Sequence, residues 1–252
     1  MMPNKFGIFT EGRKYISPTQ AGMLVGKSAC PAKWSYKYEQ GIRAPYVPLA
    51  MLRGTYFDWL CGGKGRWRPA TKLDGLRIIE QRYDEYRPLL PKAFTPQVAV
   101  EIDIGYHDWW VRGFIDILPD DPAMPFVEIK LPSASWQRKK IAYNRMQIIT
   151  YAQAIGRPGV FHVSNMTEPG VQTFEEKDYL PRGKTQETAW MAIRKDYMRA
   201  IRLIESDDRE PRPNILCKGA NEHSTWQCDY YDICQEKIKA KEKRINELSK
   251  VF

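Results

Sequence analysis

Two carboxylates and an amine near the middle of the chain are the residues best suited to do chemistry together. Glu128 and Lys130 lie two residues apart in FVEIKLP, and Asp116 lies in the preceding segment GFIDIL. Carboxylates that are brought together repel one another unless a cation neutralises them, and their hard oxygen atoms suit Mg²⁺ or Mn²⁺. Such an ion could activate water to hydrolyse a phosphodiester, while Lys130 holds a water or a phosphate oxygen.

The segments that carry these residues alternate in the manner of β-strands. Residues 97–132 are rich in β-branched and aromatic side chains, which predicts three strands, Val98–Ile104, Trp109–Leu118 and Phe126–Leu131. The short PDDPAMP connection predicts that the last two strands are antiparallel neighbours, which would bring Asp116 close to Glu128. The alternative is an incidental acid–base pair on a solvated strand face, because Glu-x-Lys alone is a very common pattern.

A long helix is predicted next, with a cap at Ser133 or Ser135 and an end near Ile155. Gln147 and Tyr151 are four residues apart on it, so they share one face. Beside a metal site they could contact a nucleic-acid backbone or stack on a base. The other interpretation is an ordinary polar surface on an amphipathic helix.

The remaining pattern predicts an α/β protein in which a sheet is flanked by helices. Helices are predicted at residues 18–26, 31–41, 49–60, 74–91 and 185–205, and strands at 159–165 and 170–176. A charged helix is also predicted from about Asp229 onward. We expect one domain over residues 1–252, consisting of an N-terminal helical part (1–96), a core of sheet and helix (97–176) and C-terminal helices (177–252).

The net charge of +9 over 252 residues favours an anionic partner such as nucleic acid. Basic residues cluster in WQRKK and at the chain end, and we expect the helix at residues 136–145 to run along DNA. Aromatic residues make up 12% of the chain, which suits base stacking and core packing equally. No apolar run approaches the ~20 residues of a membrane span, and the N-terminus has no signal-peptide core. These features predict a cytoplasmic protein, in the host cytoplasm if a phage encodes it.

The series GFID, EIK and QIITY resembles, in its order and spacing, the PD-(D/E)XK nuclease superfamily. It is most similar to the RecB-like branch with the Gln-x-x-x-Tyr motif, over roughly residues 101–165. The resemblance implies a restriction-endonuclease-like mixed sheet flanked by helices. It also implies that Asp116 and Glu128 are metal ligands, that Lys130 is the catalytic lysine and that Gln147 and Tyr151 contact the substrate.

One segment departs from the pattern of that family. Its early helix carries a glycine followed four residues later by a histidine that can ligate metal, whereas LRGTYFDWL has Gly54 and then Asp58. Asp58 could still supply an oxygen ligand to Mg²⁺ or Mn²⁺. Alternatively, Asp58 is a surface residue and the site has two protein carboxylates only.

The arrangement of four of the five cysteines resembles that of the iron–sulfur subgroup of the same branch. This subgroup includes CRISPR-associated exonucleases and the nuclease domains of helicase–nucleases. The resemblance implies a structural [4Fe–4S] cluster that clamps the N- and C-terminal helical segments together through Cys30, Cys217, Cys228 and Cys234. Cys217 lies further upstream than the pattern expects, so a loop must bring it back, or His223 replaces it. Zinc is an alternative occupant of four thiolates, and reduced, partly buried thiols are the remaining interpretation.

Together these features predict a Mg²⁺- or Mn²⁺-dependent DNA exonuclease in recombination, repair, replication or phage or CRISPR DNA processing. Its partner would be DNA that is single-stranded or has a free end, with recombination or CRISPR proteins as further partners. The chain has no phosphate-loop motif, no nucleophile elbow and no zinc-hydrolase spacing of its three histidines. The alternatives are a catalytically weak module that binds DNA ends and a transcription regulator with a cysteine-bound metal.

Overall fold

The computed structural model describes residues 13–26, 29–42, 49–63, 76–132, 141–166, 169–180, 183–207, 230, 232–236 and 238–239. The six strands in this part of the chain are β1 (Lys14–Ile16), β2 (Phe94–Tyr106), β3 (Trp109–Pro119), β4 (Phe126–Lys130), β5 (Gly159–Ser164) and β6 (Val171–Glu175). The α-helices are α1 (Pro18–Val25), α2 (Pro31–Trp34), α3 (Leu49–Asp58), α4 (Leu76–Tyr86), α5 (Ile141–Ile155) and α6 (Gln186–Glu205).

Short helical turns extend several of these elements. π-helical turns follow α2 and α3, at Ser35–Glu39 and Trp59–Gly63, and 3-10 turns lie at Arg87–Leu89 and Glu176–Tyr179. No helix in the described ranges is long and apolar enough to cross a membrane.

All six strands form one mixed sheet, in the order β1-β3-β4-β5-β6 with β2 also paired to β3. β2 runs antiparallel to β3 along its whole length, from Phe94 opposite Pro119 to Tyr106 opposite Trp109. The other edge of β3 is shared, because β1 pairs with its start and β4 pairs with its end. β4 and β5 are parallel, so the chain must cross over between them, and α5 makes this crossover. The predicted α/β sheet with flanking helices is therefore confirmed.

Two hydrophobic cores cover the two faces of the sheet. The first packs α1, α5 and α6 on the sheet and includes Phe126 and Phe161. The second packs α3 and α4 on it and includes Val127 and Ile129. Successive side chains of a strand point to opposite faces, so the alternation along FVEIK places β4 between the two cores. The backbone of β4 is therefore held between two packed layers.

Local sequence explains where most elements begin. Ser17 accepts a hydrogen bond from the backbone N–H of Gln20, whose side chain accepts one from the N–H of Ser17, so a capping box opens α1. Thr185 caps α6 in the same way, through its hydroxyl and the N–H of Thr188. The helix α4 ends before Pro88, as expected for a residue that lacks a backbone donor.

Two differences separate the structure from the sequence prediction. β2 is longer than expected and begins at Phe94, where it pairs with the end of β3. β1 was not predicted, since a strand of three residues carries almost no periodic signal. The start of the predicted long helix and the basic segment WQRKK, residues 133–140, lie outside the described residues. The proposed subdivision of the chain at residues 96 and 176 stays a prediction.

Candidate active site

The candidate site lies at a gap between β3 and β4. β1 pairs with Trp109 to Val111 of β3, and β4 pairs with β3 only where Ile117 faces Val127. Within the described residues, the stretch of β3 from 112 to 116 therefore has no partner strand on this edge. Unpaired backbone N–H groups must find other acceptors when they are buried, and two side chains provide them here.

Both acceptors belong to predicted site residues. The N–H of Phe114 donates to the hydroxyl of Tyr151 at 3.3 Å, and the N–H of Asp116 donates to Oε1 of Glu128 at 3.4 Å. In return, the N–H of Ile129 donates to Oδ2 of Asp116 at 2.8 Å. Hydrogen bonds from backbone N–H groups to side chains thus replace the missing backbone ladder between the strands. They bring the predicted pair of carboxylates together across the gap.

Lys130 lies beside these carboxylates. Its Nζ is 3.7 Å from Oε2 of Glu128, which is 0% exposed, whereas the lysine side chain is 26% exposed. Nζ also lies 5.5 Å from the ring centroid of Phe161, so its stem packs over the first core. The amine therefore lies beside the buried Glu128 carboxylate on a side chain that is partly exposed.

Gln147 and Tyr151 of α5 contact the residues on both sides of the gap. Nε2 of Gln147 donates to Oε2 of Glu128 at 2.6 Å. Tyr151 is only 4% exposed and packs against Phe126, so its ring is not placed to stack on a base. A Cβ at position 113 would collide with the Tyr151 ring and hydroxyl, which explains why Gly113 stands three residues before Asp116. The predicted contact of Gln147 and Tyr151 with the substrate stays a prediction.

Asp58 stands at the end of α3, and the following π-turn holds it in place. Gly62 in that turn has φ of 150°, and a Cβ there would lie 2.9 Å from the Phe94 ring, so the turn sits directly on β2. Burial and the Asp116 carboxylate raise the pKa of Asp58 to about 7, while Lys130 lowers it. Asp58 is thus part of the electrostatic environment of the site.

Burial and the neighbouring charges together set the pKa values of Glu128 and Lys130. It raises the pKa of Glu128 well above its usual range, and the neighbouring Asp116 carboxylate adds to this rise. Burial opposes the charge on Lys130, but the carboxylates of Glu128, Asp116 and Asp58 outweigh it and raise the pKa of the amine. When all four groups are ionised, one positive charge faces three negative ones. The donor set therefore fits a divalent cation, which would neutralise the excess.

Asp116 and Glu128 are the two carboxylates that lie across the gap from each other. In the part of the chain that the structure describes, no three His, Cys, Asp or Glu side chains converge closely enough to hold a metal ion. Mg²⁺ commonly uses one or two carboxylates and completes its shell with water and substrate phosphates. Asp116 and Glu128 fit that requirement, and the role of Asp58 as a third ligand stays a prediction.

Several further residues surround the site. Nε2 of Gln97 donates to Oδ1 of Asp116 at 3.1 Å, from a residue with φ of 52°. Behind the site, the hydroxyl of Tyr86 lies 2.9 Å from Nδ1 of His162. Burial raises the pKa values of Tyr86 and of the Cys61 thiol, and the Asp58 and Asp116 carboxylates contribute to both. These contacts join distant segments, so no local pattern could have indicated them.

A third, smaller core joins the two ends of the chain. It contains Cys30, Tyr36 and Tyr230, and Cys234 packs against it. The rings of Tyr36 and Tyr230 are 5.7 Å apart, and the Tyr230 hydroxyl donates to the carbonyl of Ile42 at 3.1 Å.

Two of the four predicted cluster ligands, Cys30 and Cys234, therefore lie in one small region. The described residues contain no complete cysteine cluster. The other proposed ligands, Cys217, Cys228 and His223, lie outside the described residues. Cys61, which sequence analysis set apart from the four, is buried in the second core.

Two solved structures have a similar fold. The "Putative exonuclease" of Eubacterium rectale matches with a TM-score of 0.59 and 15% identity, over 88% of this chain and 87% of its own. The structure of SSO0001 matches with a TM-score of 0.51 and 17% identity, over 90% of this chain and 88% of its own. No protein-family model and no curated protein matches the chain. At these identities the similarity establishes a fold shared with a nuclease-like protein.

Proposed function

We propose that the protein is a Mg²⁺- or Mn²⁺-dependent deoxyribonuclease of the PD-(D/E)XK type that degrades DNA from an end. The observation that carries this proposal is the convergence of Asp116, Glu128 and Lys130 at a gap in the sheet. A binding surface for DNA would not need a buried carboxylate beside a second one, because their repulsion costs free energy. A hydrolytic metal site does need two neighbouring carboxylates, because they are its ligands.

Asp116 and Glu128 would hold the ion through their carboxylate oxygens. When bound, the ion would polarise the phosphate and lower the pKa of a water molecule that attacks it. Gln147 fixes the orientation of the Glu128 carboxylate, and the N–H of Ile129 fixes that of Asp116. Neither ligand would then need to reorganise when substrate arrives.

Lys130 has a separate role in this proposal. Its raised pKa keeps the amine protonated at neutral pH. A protonated amine can donate a hydrogen bond to a phosphate oxygen and stabilise the negative charge that develops there. Because the side chain is partly exposed, it can reach such an oxygen while Glu128 anchors it.

The cysteines would hold a structural cluster in this protein. Cys30 and Cys234 lie in the small core that joins the chain ends, which supports their inclusion in one site. With Cys217 and Cys228 they would form a set of four thiolates, which suits a [4Fe–4S] cluster or zinc. Iron, sulfide and zinc determination on purified protein, together with its visible spectrum, distinguishes these occupants.

The DNA partner and the biological setting follow the same proposal. The charge of +9 supports an anionic partner, and the similarity in fold to an exonuclease-like protein is consistent with DNA that has a free end. Recombination, repair, replication and phage or CRISPR DNA processing are the settings in which such an activity is needed.

Digestion of end-labelled DNA with Mn²⁺ or with EDTA tests the proposal. We expect cleavage only with the metal ion and a loss of at least about 1,000-fold in Glu128→Gln, because metal assistance supplies several kcal/mol. Glu176→Gln is the matched control, since Glu176 is a buried carboxylate that accepts from the N–H of Gly159 instead of facing the gap. Cleavage that continues in EDTA or in Glu128→Gln rejects a metal-dependent catalytic site at Glu128. Binding of DNA ends without cleavage supports the catalytically weak module that binds DNA ends instead.

A further inference from the structure

A partly exposed aromatic surface leads along β3 toward the candidate site. We call it the stacking surface and define it by Arg13, Tyr15, Trp110, Arg112 and Phe114. Tyr15 pairs with Trp110 in the β1–β3 register, and the last three residues alternate along β3. Their side chains therefore share the face of the sheet that points away from the first core.

The members of this surface stack on one another. The guanidinium carbon of Arg13 lies 4.3 Å from the centroid of the Trp110 ring. That of Arg112 lies 5.7 Å from the Tyr15 ring and 5.8 Å from the Phe114 ring. Planar groups at these distances form cation–π contacts. The result is a row of flat groups and not a scatter of single side chains.

Acidic neighbours offset the charge of this row. Glu101 accepts a hydrogen bond from the Tyr15 hydroxyl at 3.1 Å, and its carboxylate lies 3.5 Å from Arg112 and 3.9 Å from Arg13. Asp103 pairs with Trp110 in the β2–β3 register. The Glu101 carboxylate thus offsets part of the charge of the two arginines, and the surface also offers the flat faces of three aromatic rings. Such a surface suits bases better than phosphates.

Phe114 is the most accessible member of the row. Its side chain is 48% exposed, although exposing a large aromatic ring to water is unfavourable. It lies two residues before Asp116, a separation of about 7 Å along a strand. The hydrogen bond between Gln97 and Asp116 is also solvent-exposed.

We propose that the stacking surface binds unpaired bases of single-stranded DNA and that Phe114 stacks on a base next to the phosphate to be cut. This inference rests on the proposed function for the position of that phosphate. Bases in a duplex already stack on one another and are hidden from such a surface. The surface would therefore select single strands, or the single-stranded end of a duplex, over fully paired DNA.

Fluorescence anisotropy in EDTA tests this selection without cleavage. The probes are a labelled single strand and a blunt duplex of the same sequence. We expect Phe114→Ala to weaken single-strand binding about 5- to 150-fold, because one base–aromatic stack has that effect. Duplex binding should stay unchanged, and Phe114→Trp should retain single-strand binding because it retains a stacking ring.

Two controls keep the result specific. Leu89→Ala removes a side chain that is also 48% exposed but lies on the 3-10 turn after α4, and it should leave binding unchanged. An oligonucleotide with abasic sites tests the base directly, since the wild-type protein should bind it as weakly as Phe114→Ala binds the intact strand. The melting temperature of each variant is measured to establish that it is folded.

Two results would overturn the inference. One is equal single-strand affinity for Phe114→Ala and the wild type, and the other is an equal loss on single strands and on duplex. Because these measurements need no cleavage, they are independent of the digestion test on Glu128. If the protein cleaves DNA but Phe114→Ala binds single strands as tightly as the wild type, only the inference about the stacking surface is rejected and the proposed nuclease function stands.

Discussion

The two edges of β4 differ sharply. Toward β5 the strand forms a continuous parallel ladder, with each residue from Phe126 to Lys130 paired to a partner. Toward β3 it has one paired residue, Val127, and polar side chains make the other connections. The complete edge holds the backbone of Glu128 in place, while the open edge leaves its carboxylate free to meet Asp116. A strand with one regular and one interrupted edge can thus present charged groups without losing its position.

The two edges also differ in how they should respond to pH. On the open edge, burial and neighbouring carboxylates raise the pKa values of Asp58 and Glu128, so ionising them costs stability as pH rises. On the complete edge, burial lowers the pKa of His162, which lies opposite Ile129, so protonating it costs stability as pH falls. Four predictions follow from this contrast and from the contacts that produce it.

The largest expected effect concerns His162. Burial lowers its pKa from 6.5 to about 4, so the stability associated with the neutral ring is complete above pH 6.5 and is lost as pH falls toward 4. The loss is on the order of 3 kcal/mol. His162→Gln should remove this part of the acid dependence, as measured by urea unfolding at neutral and at acidic pH. The same acid dependence in the variant and the wild type would show that His162 is not its source.

The next effect concerns Gln147, which orients the Glu128 carboxylate. Gln147→Leu should lower Mn²⁺ affinity or cleavage about 10- to 100-fold, the usual effect of losing a partner that orients a ligand. Titration of Mn²⁺ in the digestion assay measures it, because weaker binding shifts the midpoint and higher concentrations restore activity. The control is Gln153→Ala, an exposed glutamine of the same helix, and an equal loss there would contradict the role assigned to Gln147.

Gly113 tests the packing that closes the gap. Gly113→Ala should destabilise the protein by about 1–3 kcal/mol, because the added methyl group collides with Tyr151. Gly54→Ala on α3 meets nothing within 4 Å and should be neutral or slightly stabilising. Urea unfolding compares the two. In a Tyr151→Ala background the cost of Gly113→Ala should shrink, and an unchanged cost would place the collision elsewhere.

The smallest expected effect concerns Asp58. Its pKa of about 7 means that, without metal, stability falls as pH rises from about 4 to 7 while the carboxylate ionises. Asp58→Asn should remove part of this fall, on the order of 1 kcal/mol, because Asp58 interacts with Asp116 and Lys130 and the titration belongs to the group rather than to Asp58 alone. Melting temperatures in EDTA between these pH values measure it. A steeper fall in Asp58→Asn than in the wild type would reverse the sign and reject the assignment.

Several parts of the site could be predicted from local pattern. The alternation in FVEIK separates Val127 and Ile129 from Glu128 and Lys130, and the observed cores follow that separation. The prediction that β3 and β4 are antiparallel neighbours is confirmed. The alternation along β3 was less informative, because Ile115 lies in the first core and Ile117 in the second. The strand passes from one core to the other across Asp116.

Sequence by itself determined the elements and the order of the charged groups, because capping, alternation and turn chemistry act over a few residues. The capping box joins Ser17 and Gln20, which are three residues apart, and the alternation of β4 spans five residues, so both patterns are visible in a short stretch of sequence. Only the tertiary structure decided where the sheet opens. That opening depends on β1 ending at Val111 of β3, on Tyr151 and Glu128 accepting the unpaired N–H groups, and on Gln97 reaching Asp116. These contacts join residues far apart in sequence, so they exist only once the whole sheet has packed.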